Sequence, residues 1–358
     1  MKTSREKAVN NMANRDSYFD NARFILIFLV VFGHLIQSYI DANTFVATVY
    51  KFIYSFHMPA FILVSGFFAK GIYKKGYIKK ITKKLIIPYL IFQAIYSIFY
   101  YFQFGKSSLE FDLLNPHWSL WFLLSLFCWH LMLLVFNKWK PVYSIGIALA
   151  IGLAVGYIDW ISNYLSLSRT FVFFPFFLIG YYLKKEHFQK VISHQVKLLA
   201  AIPIIAVIIL LVIFPNLNET WLLGSKPYSQ LQDITILGIF TRTGVYALNF
   251  IMAACFFAFV PRKRLFFTKW GRNTLYVYLL HGFIIRTFRG SSVETYLEPM
   301  QSIIILVIAS FILTLILSSK LVTTIVQPFI ELKWSKWKQL LNNLKDSKSN
   351  AYKNTTTD

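Results

Sequence analysis

The chain has 358 residues, 56% of them hydrophobic and only 15% charged, with a formal net charge of +22. A soluble domain averages roughly 45–50% apolar and about 25% charged residues, so an ordinary soluble protein is excluded and an all-α polytopic membrane protein is expected. In a soluble protein this charge would suggest nucleic acid, but it is better explained by its placement on one side of a membrane, and no nucleic-acid partner is expected.

The first twenty residues are polar and of mixed charge. They lack the pattern of a cleavable signal peptide, so the first apolar helix is expected to serve as the insertion signal. That helix opens with Asp20 to His34, DNARFILIFLVVFGH. Arg23 and His34 are eleven residues apart. On a helix they return to one face, about 20° off, and lie roughly 16 Å apart along the axis. If the helix crosses a bilayer, the arginine sits at one surface and the histidine near mid-depth. A titratable group at that depth needs a packing or a chemical reason.

Apolar runs near the roughly 20 residues that span a bilayer follow along the chain. They cover 24–42, 52–69, 85–103, 119–137, 142–158, 170–183, 198–214, 243–260, 273–288 and 301–325, ten in all. With the N-terminus inside, 30 of the 37 basic residues fall on the cytoplasmic side, including seven lysines from Lys70 to Lys84. The acidic residues divide almost evenly, seven inside and eight outside. This segregation favours about ten transmembrane helices with both termini cytoplasmic. The expected organisation is a basic cytoplasmic segment 1–23, a membrane domain 24–332 and a polar cytoplasmic tail 333–358. The tail begins as a short amphipathic basic stretch and then becomes disordered. The longest outer loop, 215–233, is short, so the chemistry is expected from the helical bundle itself. The expected location is the cell membrane.

Three histidines fall in or near spans. His34 lies eleven residues into the first helix and His281 about ten residues from the inner edge of the ninth, both near mid-depth. His57 begins the second span and is expected close to the outer surface. Each can serve catalysis or a packing hydrogen bond. His117, beside Trp118, reads as an interface anchor, and His130 fits either role. No span places a carboxylate near a histidine, and the histidines lack metal-type spacing, so no metal is expected. Cys128 and Cys255 lie in apolar runs and pack as small hydrophobes. Ser65 is not in a nucleophile elbow, and Ser65-Gly66 more simply permits close helix packing. The lysine run 70–84 fixes topology and meets anionic headgroups, or it forms an anion site for a phosphorylated cosubstrate, with Arg23 on the same face. Arg169 and Arg242, at the outer ends of spans, either snorkel or hold an anionic or sugar-lipid acceptor.

Six motifs in order resemble the membrane acyltransferase-3 family, in particular its sugar O-acetylase branch related to fucose 4-O-acetylase. They are D-x-x-R-x10-H at Asp20, Arg23 and His34, F-H-M-P-x-F-x-x-x-S-G from Phe56 to Gly66, and Pro88-Tyr89 closing the basic segment. W-S-L-W-F-L from Trp118 to Leu123, R-x5-P-F-F-x-x-G from Arg169 to Gly180, and G-R-N-T-L-Y-x-Y-L-L-H from Gly271 to His281 complete the set. The resemblance implies transfer of an acyl group, usually acetyl from cytoplasmic acetyl-CoA, to a hydroxyl of a surface glycan or its lipid-linked precursor. It implies Arg23 and His34 as the central pair. Relatives often carry R-x-x-R entering the third helix, where this chain has Lys80-x-x-Lys83 and so lacks the bidentate fork. On this reading Arg23, Lys80 and Lys83 hold the donor phosphates. His34 is the general base or transient acyl carrier, with His281 and Ser119 as orienters or oxyanion donors. His57, Ser119, Arg169 and Arg242 meet the acceptor. Cell-envelope synthesis proteins are expected partners. A polysaccharide or lipid-linked sugar exporter is the competing reading, but neither repeated halves nor an intramembrane acid for ion coupling is visible.

Overall fold

The computed structural model describes residues 16–105, 108–109, 111–161, 164–232, 234–296, 299–335, 337–339 and 341–342. The far N-terminal segment and most of the expected disordered tail lie outside these residues. Helix α1, Ser17–Ile36, starts where the Asp16 side chain accepts the Tyr18 N–H at 3.2 Å. An N-cap aspartate satisfies a backbone donor that has no partner within the helix. Asp20 and Arg23 are therefore helical, although the expected span begins only at residue 24.

The second span is longer than its apolar run. It begins as α2, Thr44–Tyr54, capped by Asn43, and continues as α3, His57–Phe67. Pro59 explains the break at Ser55–Phe56, because its ring cannot pack over the carbonyl of the residue four before it. The polar side chains of Thr44, Thr48, Lys51 and Ser55 had hidden the first half of this span from the hydropathy pattern. His57 is consequently internal, 2% exposed, rather than close to a surface.

The third span, α4 (Tyr77–Gln103), follows Gly76, whose φ of 76° is open to glycine without strain. Next come α5 (Trp121–Phe136), α6 (Pro141–Ala154) and α7 (Leu167–Tyr182). A short α8 (Lys185–Val191) leads to α9 (His194–Ile213) and α10 (Gly238–Phe259). The chain then forms α11 (Thr274–Arg289), α12 (Pro299–Leu317) and α13 (Lys320–Glu331). Helices thus occupy all ten predicted runs among the described residues. Among the described residues, seven helical stretches are long and apolar enough to cross a membrane, or eight if α12 and α13, bent by 63°, count as one. The α6 stretch and the 16-residue α11 are shorter. The chain is a multi-pass membrane protein.

Helices α3 and α7 pack backbone to backbone. Gly66 faces the Phe177 carbonyl and Gly180 faces the Leu63 carbonyl, so a Cβ at either position would collide with the partner's main chain. Small residues permit this approach where packing, not water exclusion, drives helix association. Lys70 then closes the end of α7 by donating to the Tyr181 and Leu183 carbonyls. Partial desolvation and the nearby Lys184 charge hold its ammonium below the usual lysine range. Helix α9 sits outside this core, with Leu198, Ile202, Ile205 and Ile209 exposed as a lipid-facing row.

Helix α1 lies centrally, against α3, α11, α12 and the turn Thr268–Arg272. Its start is locked by Asn21, which donates to the Pro261 and Lys263 carbonyls at 2.9 Å and accepts from the Thr268 hydroxyl at 2.6 Å.

Candidate active site

A cavity of about 1370 Å³ runs along α1. Its mouth carries Arg23, Lys79, Lys80, Lys83, Lys84, Lys185, Arg272 and Lys333, against only Asp16, Asp20 and Glu331. Its walls are Ile27, Val30, Met58, Phe61, Phe122 and Leu126. Its inner end holds His34, Ser119, Trp121 and Tyr278. The helical repeat that puts Arg23 and His34 on one face of α1 therefore points both into a single space. A strongly cationic mouth favours an anionic ligand, and apolar walls suit an acyl chain or thioester arm.

At the mouth, the Asp20 carboxylate is 3.5 Å from Arg23 Nη1, and the Arg23 guanidinium lies 4.2 Å from the Phe68 ring centre. Lys80 and Lys83 enter from α4, exposed, across the same opening. They reach it because the left-handed turn at Gly76 starts α4 four residues before Lys80.

At the inner end the His34 ring meets Trp118 at 4.4 Å and His281 at 5.5 Å between ring centres. Its Nδ1 lies 3.4 Å from the Tyr54 hydroxyl. The His34 carbonyl accepts from Arg289, which also donates to Gln37 Oε1 at 3.1 Å. A cation thus caps the carbonyl end of α1, where the helix dipole favours positive charge. His281, fully buried, has Nδ1 3.0 Å from the Val277 carbonyl. A carbonyl only accepts, so this nitrogen carries the proton and Nε2 keeps its lone pair. Among the described residues, neither buried His281 Nε2 nor buried Ser119 Oγ has a hydrogen-bond partner. Unmade bonds of this kind are expensive and concentrate where chemistry is done.

Trp118 organises the cluster. Its φ of 33° is unusual for a bulky residue, and such strain gathers at functional sites. The ring also lies 5.6 Å from His281 and carries Arg286 and Arg289 at 5.4 and 5.6 Å. Tyr278 lines the cavity three residues before His281 and donates to the Ser119 carbonyl.

The remaining predicted residues separate. Arg169 lies beside the inner end, 5.1 Å from the Trp121 ring centre, with Nε 3.4 Å from the Leu223 carbonyl. His57 points its Nδ1 at the Ile53 carbonyl, 2.9 Å away, and packs against Tyr54, behind His34 rather than in the cavity. Arg242 is not brought to the cavity. It is buried under the loop before α10, 4.9 Å from the Tyr228 ring centre, and donates to the Lys226 carbonyl at 3.1 Å. His130 pairs with the Tyr77 hydroxyl at 3.0 Å and His117 with Ser97 at 2.9 Å. Both are packing contacts.

Sequence reasoning missed Tyr54, Tyr278, Arg272, Arg286 and Arg289. Tyr278 carried a local signal, because a residue three before His281 shares its helix face. Arg272 stood in the same Gly271–His281 motif without a role, and Tyr54, Arg286 and Arg289 approach from outside the quoted motifs.

The family described as an acyltransferase domain matches residues 16–319. A nodulation protein NolL of Sinorhizobium fredii is 34% identical over 144 residues, which cover 35% of this chain and 39% of that protein. The NolL of Mesorhizobium japonicum is 31% identical over 186 residues, covering 47% of this chain and 48% of its own. The chain thus spans less than half the length of these curated relatives. No solved structure matches.

Proposed function

Since this chain belongs to the acyltransferase family matched over residues 16–319, we propose that it is a cell-membrane O-acetyltransferase. It moves acetyl from acetyl-CoA, on the lysine-rich cytoplasmic side, to a hydroxyl of a surface polysaccharide or its lipid-linked precursor. The observation that carries this reading is the single cavity joining a cationic mouth to His34.

Arg23, Lys80 and Lys83 hold donor phosphates, because charged hydrogen bonds to phosphate are strong and the opening carries few competing carboxylates. The thioester arm follows the apolar walls inward. His34 takes the proton of the acceptor hydroxyl, the oxygen forms a bond to the acetyl carbonyl carbon, and the carbon–sulfur bond breaks. The products are the acetyl ester and coenzyme A thiol, which receives the proton. In the variant route His34 accepts the acetyl group first and passes it on. Ser119, which lines the cavity, donates its hydroxyl to the carbonyl oxygen as negative charge develops. His281 and Trp118 hold the His34 ring in place. Arg169, beside Trp121, is the side chain for the acceptor, with the outer loop and cell-envelope proteins beyond it.

Purified protein in liposomes tests the proposal. Acceptor glycan and acetyl-CoA yield free thiol and acetyl ester in equal amounts. Wild-type protein that moves lipid-linked sugar with no dependence on acetyl-CoA would refute it.

A further inference from the structure

The cavity mouth holds a second arginine that the reading above leaves without a role. Arg272 closes the turn before α11, and its Nε lies 3.7 Å from Asp20 Oδ2. The other oxygen of the same carboxylate, Oδ1, lies 3.5 Å from Arg23 Nη1. The Asp20 side chain is 3% exposed, whereas the two guanidinium side chains are 21% and 29% exposed. All three residues line the cavity. These three groups together carry a net positive charge, which attracts an anion.

The cluster is rigid on its inner side. Gly271 packs against the Asp20 carbonyl so closely that a Cβ there would collide with it. The next residue, Asn21, is bonded to the loop that leads into the turn. A guanidinium is a planar fork of donors, and a carboxylate holding one edge aims the rest. Two such groups from different elements, at 3.5 and 3.7 Å from the two oxygens of one acid, bring their charges to one side of the mouth. The lysines opposite, Lys79, Lys80 and Lys83, are exposed point charges on flexible stems.

Resting on the reading that the donor is a coenzyme A thioester, we propose that Arg23 and Arg272 together bind its diphosphate. Asp20 is the positioning residue that sets their spacing. The diphosphate is the phosphate group joined directly to the arm that must reach His34, and Arg23 is on the His34 helix, roughly 16 Å away along its axis. The isolated ribose phosphate, which needs only charge, faces the lysines.

Full-length protein in liposomes is assayed with acetyl-CoA, with acetyl-dephospho-CoA, which lacks the ribose phosphate, and with acetyl-pantetheine, which lacks all phosphates. Arg272→Gln is expected to raise KM for the first two by the same factor, about tenfold or more, since a lost charged contact is of that order. Its kcat stays near wild type, and KM for acetyl-pantetheine does not move. Arg272→Lys falls between, and Asp20→Asn follows Arg272→Gln with a folded melting profile. An equal rise for acetyl-pantetheine would make the arginine structural. A rise confined to acetyl-CoA would assign it to the ribose phosphate. Unchanged KM in an active enzyme overturns this inference alone, whereas wild-type protein that uses no coenzyme A thioester overturns the underlying reading and this one with it.

Discussion

Replacing His34 by alanine is expected to abolish most transfer while leaving donor capture intact. The imidazole lines the inner end of the cavity, 4.4 Å from Trp118 and 5.5 Å from His281 by ring centres, and roughly 16 Å by helix rise from the cationic mouth at Arg23. Loss of a positioned general base lowers rate by about 10²–10⁴-fold, equivalent to roughly 2.7–5.5 kcal/mol of barrier. Alanine also removes ring packing, but that loss falls on stability, not on phosphate binding. The assay is transfer of labelled acetyl in liposomes at matched protein content, with kcat and the acetyl-CoA KM fitted separately. The expected result is a collapse of kcat with KM within about threefold. Tyr54→Phe calibrates the effect. Its hydroxyl is 3.4 Å from His34 Nδ1, a long contact, so its loss is expected to lower kcat only about two- to tenfold. If His34→Ala keeps kcat within threefold of wild type, or loses only donor affinity, His34 is not at the centre of the reaction.

Gly66→Ala places a Cβ against the Phe177 main chain, and Gly180→Ala does the same against Leu63. Each is expected to destabilise by about 1–3 kcal/mol, read as a lowered melting temperature in detergent, with the pair less than additive because one helix shift relieves both. Lys80→Gln with Lys83→Gln is expected to raise the acetyl-CoA KM several-fold, and the difference from wild type should shrink as salt is raised, because exposed charges are screened over about 10 Å at 0.1 M. A salt-independent rise would point to a packing role. Arg242→Met is expected to leave both kinetic constants unchanged, since Arg242 lies away from the cavity, beside the Tyr228 ring and bonded to the Lys226 carbonyl. A changed acceptor KM would return it to the acceptor site.

The membrane-crossing class and the helical runs were legible because burial in lipid demands long, continuous apolar stretches, and these are local in the chain. The Arg23–His34 relation was legible for the same reason, since both residues belong to one helix and its repeat fixes their common face. The second span reads short, because Thr44, Thr48, Lys51 and Ser55 interrupt its apolar pattern. His57 was placed near the outer surface on that account, and it lies behind His34 instead. Arg169 and Arg242 looked alike as outer cations, but only Arg169 is beside the cavity, because its helix is drawn in by the glycine contacts between α3 and α7.

By itself the sequence determined a multi-pass helical bundle, a cationic side, and one helix bearing an arginine and a histidine in line. Only the tertiary structure decided what those two residues face. His281, Trp118, Tyr54 and Arg289 meet His34 from other parts of the fold, and Arg272 meets Arg23 through Asp20. Such meetings depend on how closely helices approach and where they break, at Gly66, Gly180, Gly271 and Pro59. Spacing along the chain encodes the face of a single helix, whereas a site built between helices exists only once their backbones have packed.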